Sequence, residues 1–313
     1  MSASSRKPVI LAALAGNTLI AITKFIAAWM TSSSAMFSEG IHSLVDTGNQ
    51  ILLLYGIKQS QRPPDDRFPF GYGKEIYFWS FVVAILIFAV GAGISIYEGI
   101  HRLYDPRPVT NITINYIVLG FAIVFEGAAW YFALREFTRT KGKWGYLEAV
   151  QRGKDPSMFV VLFEDSAALL GLFVALLANI LTQVTGLYFF DGVASVIIGL
   201  ILGGTATWLA YETKGLLIGE RANMHVVDGI RQLADSFDEI NHINEILTMH
   251  MGPDFVLVNV SVNFVDTIAT TRLEQVIASL DRAIKQKYPN VKRIFVEAES
   301  RQQALQEPAG NTD

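Results

Sequence analysis

A histidine and an aspartate four residues apart, His42 and Asp46, lie in a segment that is otherwise rich in apolar residues. Residues at this spacing stack on one face of an α-helix, so the imidazole and the carboxylate can bind one cation together. A second acidic pair, Glu164 and Asp165, lies in another apolar segment. Adjacent helical residues point about 100° apart. The small residues at 166–168 favour close helix packing beside Asp165, so we expect Asp165 to be the inward ligand.

These residues predict a divalent-metal site that exchanges its ion for protons. Three carboxylates and one imidazole on two apolar helices form a net negative cluster, which needs a metal ion or protons as compensation. The imidazole must be neutral and the carboxylates ionised to bind a metal, so protons compete with the ion. The predicted ligands are His42, Asp46 and Asp165, with Glu164 as a fourth ligand or proton acceptor and Asn49 as a neutral oxygen donor.

The metal predicted by this donor set is Zn²⁺, because imidazole and carboxylate ligands suit its tetrahedral shell. The same oxygen-rich set could accept Mn²⁺, Fe²⁺ or Co²⁺. A simpler interpretation also stays open, in which His42 and Asp46 bond each other and hold two helices together.

Six apolar segments are long enough to position these side chains inside a bilayer. The chain has 51% hydrophobic and only 17% charged residues, with a mean hydropathy of +0.34. A span takes roughly 20 helical residues. The windows are 9–30, 35–58, 76–100, 114–137, 158–183 and 190–217. Residues 1–218 are therefore predicted to form a six-transmembrane-helix bundle in an α-helical, multi-pass membrane protein.

The distribution of Lys and Arg predicts the orientation of the bundle. Basic residues are concentrated between the second and third helices and between the fourth and fifth, whereas the loops after the first and fifth helices contain none. Positive loops face the cytoplasm, so both termini are expected there, and the expected location is a bacterial inner membrane.

Residues 219–300 have the pattern of a small soluble domain. Helical spacing at 226–237 and 273–288 alternates with strand patterns at 244–251, 255–265 and 292–297. This α-β-β-α-β order predicts a cytoplasmic α+β domain of the ferredoxin-like, metallochaperone-like kind. Residues 301–313 are polar and are expected to be disordered.

Charge and cysteine content exclude several partners and chemistries. The chain from Glu220 onward has 14 acidic and 9 basic residues, which argues against nucleic acid as a partner. Cysteine is absent, so disulfides and thiolate metal ligands are excluded. The loop at 70–74 lacks the strand and glycine spacing of a nucleotide site. A hydrolase that uses His42 is a rival without a nameable nucleophile, so we do not expect an enzyme.

Other ionisable residues lie within the apolar windows. Lys24, Glu98 and Asp191 lie towards the ends of their segments, and we expect them to snorkel to the membrane surface. Glu126 lies mid-helix beside small residues and is either a proton relay or a packing partner.

Two motifs carry a family resemblance. Residues 38–46, SEGIHSLVD, and 65–74, DDRFPFGYGK, resemble the second helix and following loop of the cation diffusion facilitator family. Residues 162–171, LFEDSAALLG, are similar to the branch that contains the mitochondrial zinc transporter of animals. The resemblance implies a homodimeric, proton-coupled exporter of divalent metal, usually zinc, within the lipid bilayer. A membrane sensor or scaffold that binds metal without transporting it is the alternative.

The chain departs from the family pattern at its auxiliary ligands. Val161 stands four residues before Asp165, where the family usually has His or Asp, so the resemblance leaves the fourth ligand open. In the loop after the second helix, Asp65 matches a family metal ligand but Phe68 and Tyr72 replace histidines.

The resemblance also leaves metal binding by the soluble domain open. The family's histidine ligands there are replaced by Asn244, Ser261 and the region of Glu297 and Glu299, with His225, His242 and His250 as possible substitutes.

Overall fold

The computed structural model describes residues 3–109, 111–141, 145, 146, 149 and 156–300, and it describes side chains from Asn17 onward except at 140, 157 and 158. The segment 301–313, predicted to be disordered, lies outside the described residues. Contacts divide the chain into two compact units. The first contains Met1–Gln59 and Glu75–Lys214, and the second contains Ser60–Lys74 and the chain from Gly215 onward.

Six long helices form the first unit, and each predicted window falls inside one of them. These stretches contain few polar residues and suit a bilayer. Because water is absent there, the backbone N–H and C=O groups must form hydrogen bonds with each other, as they do within a helix. The helices are α1 (Ala3–Thr31), α2 (Ser34–Ser60), α3 (Glu75–Tyr104), α4 (Ile112–Thr140), α5 (Pro156–Thr185) and α6 (Phe189–Ile218).

Among the described residues, four of these helices, α3 to α6, are long and apolar enough to cross a membrane. The chain is therefore a multi-pass integral membrane protein. The helix α2 is long enough but less apolar, because it carries Glu39, His42 and Asp46 in its first half. These are the residues to which the sequence assigns chemistry.

Glycines allow α3 and α6 to approach closely. A Cβ added at Gly99 would lie 2.6 Å from the backbone nitrogen of Val196, and one at Gly199 would lie 2.9 Å from that of Ile96. Small residues give such close backbone contact in membrane bundles. Upstream of this contact, α3 contains a π-helical turn at Ile87–Ala92, a feature that is frequent at functional sites.

The start of α2 is held by Asp191, near the start of α6. The Asp191 carboxylate accepts hydrogen bonds from the Ser34 backbone N–H at 2.6 Å, the Ser34 hydroxyl at 2.7 Å and the Ala35 N–H at 3.3 Å. A carboxylate at a helix N-terminus satisfies free N–H groups and the helix dipole. The prediction that Asp191 snorkels is wrong, because its side chain is buried in this cap.

The second unit contains a three-stranded mixed sheet with two helices. Its elements follow the predicted α-β-β-α-β order: α7 (Met224–Ala234), β1 (Ile240–Gly252), β2 (Phe255–Phe264), α8 (Thr270–Lys287) and β3 (Val291–Ala298). The sheet order is β1-β2-β3, with β1 antiparallel and β3 parallel to β2. The parallel pair requires the crossover that α8 provides.

The core of this unit lies between the sheet and the helices. Every second residue of β2, from Val256 to Val262, is buried, and these valines pack with Ile230 of α7 and with Leu280 and Ile284 of α8. The strand β1 begins four residues earlier than predicted, because Ile240 and His242 pair with the end of β2.

Candidate metal site

His42 and Asp46 lie together on α2, as their spacing predicts. His42 Nδ1 is 3.4 Å from Asp46 Oδ1. Neither ring nitrogen of His42 nor this Asp46 oxygen has a hydrogen-bond partner among the described residues, although all three atoms are buried. Buried polar atoms without hydrogen-bond partners are uncommon and costly, which makes this pair a candidate for binding a ligand.

The helix α5 presents Glu164 and Asp165 in different directions. Glu164 is buried, and its Oε1 accepts a hydrogen bond of 2.8 Å from Asn49 Nδ2 on α2. Asp165 is half-buried and interacts electrostatically with Glu126 of α4. Glu164 is therefore more buried than Asp165, which was expected to face inward. The choice between them as metal ligand stays a prediction.

The α2 and α5 groups share one electrostatic environment. Asp46 interacts with Glu164, Asp165 and Glu126 as well as with Lys24. Within the described ranges, however, no three His, Asp or Glu side chains are arranged as a ready metal shell. The side chains form two separate pairs in this conformation, His42 with Asp46 and Asn49 with Glu164.

Lys24 of α1 adds a cation to this environment. Its side chain is completely buried, with Nζ 3.1 Å from Glu39 Oε2 and 3.9 Å from Glu126 Oε1. It also donates a 2.7 Å hydrogen bond to Ser43 Oγ on α2. The prediction that Lys24 snorkels is wrong, because two carboxylates inside the bundle stabilise its charge. The sequence signal for this ion pair is a pair of opposite charges, Lys24 and Glu39, within two consecutive apolar segments.

Residues 10–218 match the family model of the cation efflux transmembrane domain. This chain belongs to the cation diffusion facilitator family. It is a family of cation efflux transporters, not of enzymes, and the match covers all of the helices that carry the site. The resemblance read from residues 38–46 and 65–74 is thereby confirmed.

Several members of the cation diffusion facilitator family are similar to this chain. A mitochondrial proton-coupled zinc antiporter of Xenopus laevis is 36% identical over 265 residues, which are 84% of this chain and 47% of that protein. Metal tolerance protein C4 of Arabidopsis thaliana is 34% identical over 205 residues, or 65% of this chain and 45% of that protein. Zinc transporter ZitB of Yersinia pestis is 23% identical over 254 residues, or 80% and 76%. The chain spans about half the length of the first two relatives.

Val161, the position at which the resemblance leaves the fourth ligand open, packs against the hydrophobic core of the helices. It provides no donor atom. The polar groups near the site come instead from Asn49, Lys24 and Glu126, on three other helices.

Asp65 stabilises the loop between α2 and α3 by hydrogen bonds within that loop. Asp65 Oδ1 accepts hydrogen bonds from the backbone N–H groups of Arg67 at 3.0 Å and Phe68 at 2.8 Å, and Oδ2 accepts one of 2.6 Å from the Tyr72 hydroxyl. The hydrogen bond from Tyr72 is the main reason that the pKa of Asp65 lies below its ordinary value. Asp65 therefore has a structural role in this family member's loop.

In the second unit, Asn244, Ser261 and Glu299 form a hydrogen-bonded group. Ser261 donates to Glu299 Oε2 at 2.6 Å, and Asn244 donates to Ser261 Oγ at 3.0 Å. The substitute histidines are distributed differently: His225 and His242 are exposed and His250 is buried. Over the described part of the second unit, no group of three possible ligands has metal-binding geometry.

Proposed function

We propose that this protein exports divalent metal, with Zn²⁺ as its substrate, in exchange for protons. The ion is held by His42, Asp46, Glu164 and Asp165, with Asn49 orienting Glu164. The observation that carries the proposal is the buried His42–Asp46 pair, whose facing atoms lack hydrogen bonds within the described structure. The names of the zinc antiporter and zinc transporter relatives agree with this substrate.

The separation within the pair suits zinc. Two donor atoms at about 2.0–2.1 Å from a tetrahedral Zn²⁺ ion lie about 3.3–3.4 Å apart. The His42 Nδ1 to Asp46 Oδ1 distance is 3.4 Å. One Zn²⁺ ion can therefore bind both atoms with little change in α2, and the α5 carboxylates then need to move to complete the shell.

Coupling to protons follows from the same donors. The carboxylates of Asp46, Glu164 and Asp165 lie in one electrostatic environment, and they repel one another when all are ionised and no metal is bound. Protons relieve this repulsion when the ion leaves, and metal binding releases them again. The two cargoes therefore alternate in one site.

The transport direction rests on topology. We propose that all six helices span the membrane, with both termini and the acidic soluble domain in the cytoplasm, because basic residues are concentrated in the loops on that side. Metal then leaves the cytoplasm as protons enter. A bacterial inner membrane is the proposed location.

Transport in reconstituted vesicles tests the proposal. A zinc gradient should drive proton flux in vesicles that contain the full chain, and Asp46→Ala and Asp165→Ala should each abolish it. Asp105→Ala is a matched control, because Asp105 is an exposed aspartate that pairs with Arg107 outside the site. Unchanged flux in both site variants would exclude the proposed ligands.

One observation favours a second function. The absence of a ready metal shell among the described residues, together with Val161, also suits a metal-responsive sensor or scaffold that does not transport. Zinc binding without zinc-driven proton flux would support it. The same vesicles loaded with Mn²⁺, Fe²⁺ or Co²⁺ identify an exporter with a different substrate.

We also propose a homodimer with contacts through the soluble domain. The native chain has no cysteine, so single introduced cysteines report contacts without background. Leu247→Cys is suitable because Leu247 is an exposed apolar residue on β1. Oxidation should give a covalent dimer at low protein concentration, and a product that remains monomeric for cysteines along β1 and β3 would contradict the proposal.

A further inference from the structure

The buried ion pair between Lys24 and Glu39 lies beside the candidate site but outside its ligand set. Both side chains have 0% exposure. Lys24 comes from α1 and Glu39 from α2, and the hydrogen bond from Lys24 to Ser43 brings the ammonium next to the residue that follows His42. Lys24 is therefore a fixed positive charge at the edge of the proposed site.

Glu39 has the position of a metal ligand. Residues 39, 42 and 46 are spaced by three and four, so Glu39, His42 and Asp46 share one face of α2. One Glu39 oxygen, Oε2, is bound by Lys24. The other, Oε1, is buried against Gly171 of α5 and has no hydrogen-bond partner among the described residues.

The local charges explain why Glu39 needs a partner. Glu126 interacts electrostatically with Glu39, Asp46 and Asp165, and Lys24 is the cation that acts on both Glu39 and Asp46. A divalent ion at His42 and Asp46 compensates the acids nearest to it. Lys24 compensates Glu39 in the same way, so that Glu39 does not require the metal.

We propose that Lys24 is a specificity-determining residue, which keeps Glu39 out of the metal shell and thereby favours Zn²⁺ over Mn²⁺. Without the ammonium, Glu39 would add a hard carboxylate oxygen next to His42 and Asp46. Oxygen-rich shells suit Mn²⁺, whereas shells with a larger share of imidazole suit Zn²⁺. This inference rests on the proposed metal site and deepens it.

The competing explanation is that the ion pair only ties α1 to α2. A structural tie predicts that its removal changes stability and leaves metal preference unchanged. A role in specificity predicts a change in preference that depends on Glu39. Variants of both residues separate the two explanations.

The experiment measures the dissociation constants of Zn²⁺ and Mn²⁺ for the purified full chain in detergent, by competition with a chelating dye. In Lys24→Met, the preference for Zn²⁺ over Mn²⁺ should fall by about tenfold, which corresponds to about 1.4 kcal/mol. Lys24→Arg keeps the charge and should keep the preference. Lys24→Met combined with Glu39→Gln removes both charges and should restore it.

Glu39→Gln alone keeps the proposal testable if Lys24→Met does not fold, because the amide oxygen can still accept a hydrogen bond from Lys24. This variant should keep the preference of the unmodified chain. A shift towards Zn²⁺ in Glu39→Gln would show that Glu39 is already a ligand and would overturn the inference, as would an unchanged preference in a folded Lys24→Met protein.

The vesicle assay distinguishes this failure from failure of the proposed function. If the unmodified chain exchanges Zn²⁺ for protons while Lys24→Met binds both metals with unchanged preference, only the specificity role is wrong. If the unmodified chain binds Zn²⁺ without proton flux, the transport function is wrong, and the binding experiment still decides the role of Lys24.

Discussion

Replacing Asn49 tests how α2 and α5 are coupled in the candidate site. Asn49 Nδ2 donates a 2.8 Å hydrogen bond to Glu164 Oε1 in a buried environment. In Asn49→Leu the side-chain volume is similar but the donor is lost. We expect Glu164 to lose its orientation towards α2 and metal affinity to fall.

The size of the effect follows from the hydrogen bond. A bond to a charged group contributes about 1.5–3 kcal/mol, and each 1.4 kcal/mol is a tenfold change in affinity. Asn49→Leu should therefore weaken Zn²⁺ binding by about 10- to 100-fold, which is also the range for partners that orient metal ligands.

The assay is Zn²⁺ titration of the purified full chain in competition with a chelating dye. Thr47→Val is the matched control, because the Thr47 hydroxyl bonds only the Ser43 carbonyl of its own helix among the contacts described. Its Zn²⁺ affinity should stay within about twofold of the unmodified chain, a difference well under the 1.4 kcal/mol of a tenfold change.

A double variant identifies how Asn49 acts. If Asn49 works through Glu164, adding Asn49→Leu to Glu164→Gln should cause little further loss, because coupled residues are not additive. Full additivity would instead make Asn49 an independent ligand through its unpaired Oδ1. Unchanged affinity in a folded Asn49→Leu protein would refute the coupling of α2 and α5 through this bond.

Three further predictions concern other parts of the molecule. Gly199→Ala should destabilise the bundle by about 1–3 kcal/mol through overpacking, measured by thermal unfolding in detergent, whereas Gly204→Ala, with open space around its Cβ, should not. Asp65→Asn should speed hydrogen exchange in residues 65–72, and Asp66→Asn should not. The pKa of Asp65 is lower in the folded protein than in the unfolded chain. Ionised Asp65 therefore stabilises the loop above about pH 4, and this stabilisation is lost as the pH falls through the lowered pKa. Fast hydrogen exchange of residues 65–72 already at neutral pH in the unmodified chain would contradict this.

The helices and the soluble domain could be predicted from the sequence because their patterns are local. Apolar windows of sufficient length locate α1 to α6, and alternation locates β2, whose valines at every second position face the core. The spacing of His42 and Asp46 also fixes their contact, since residues four apart on a helix are neighbours whatever surrounds the helix.

The remaining interactions depend on contacts between helices, which spacing does not encode. Lys24 was expected to reach the membrane surface because it lies towards the end of its apolar segment, but its partner Glu39 lies on another helix. The hydrogen bond from Asn49 of α2 to Glu164 of α5 is likewise a contact between two helices. Ionisable residues within apolar segments were the available signal, and pairing opposite charges across helices would have found the ion pair of Lys24.

The cap that Asp191 forms on α2 restricts how the bundle can move. An acid from one span closes the first turn of another, so the beginnings of α2 and α6 behave as one joint. Any movement of α2 relative to α6 must therefore either carry both of these helix starts together or break these bonds.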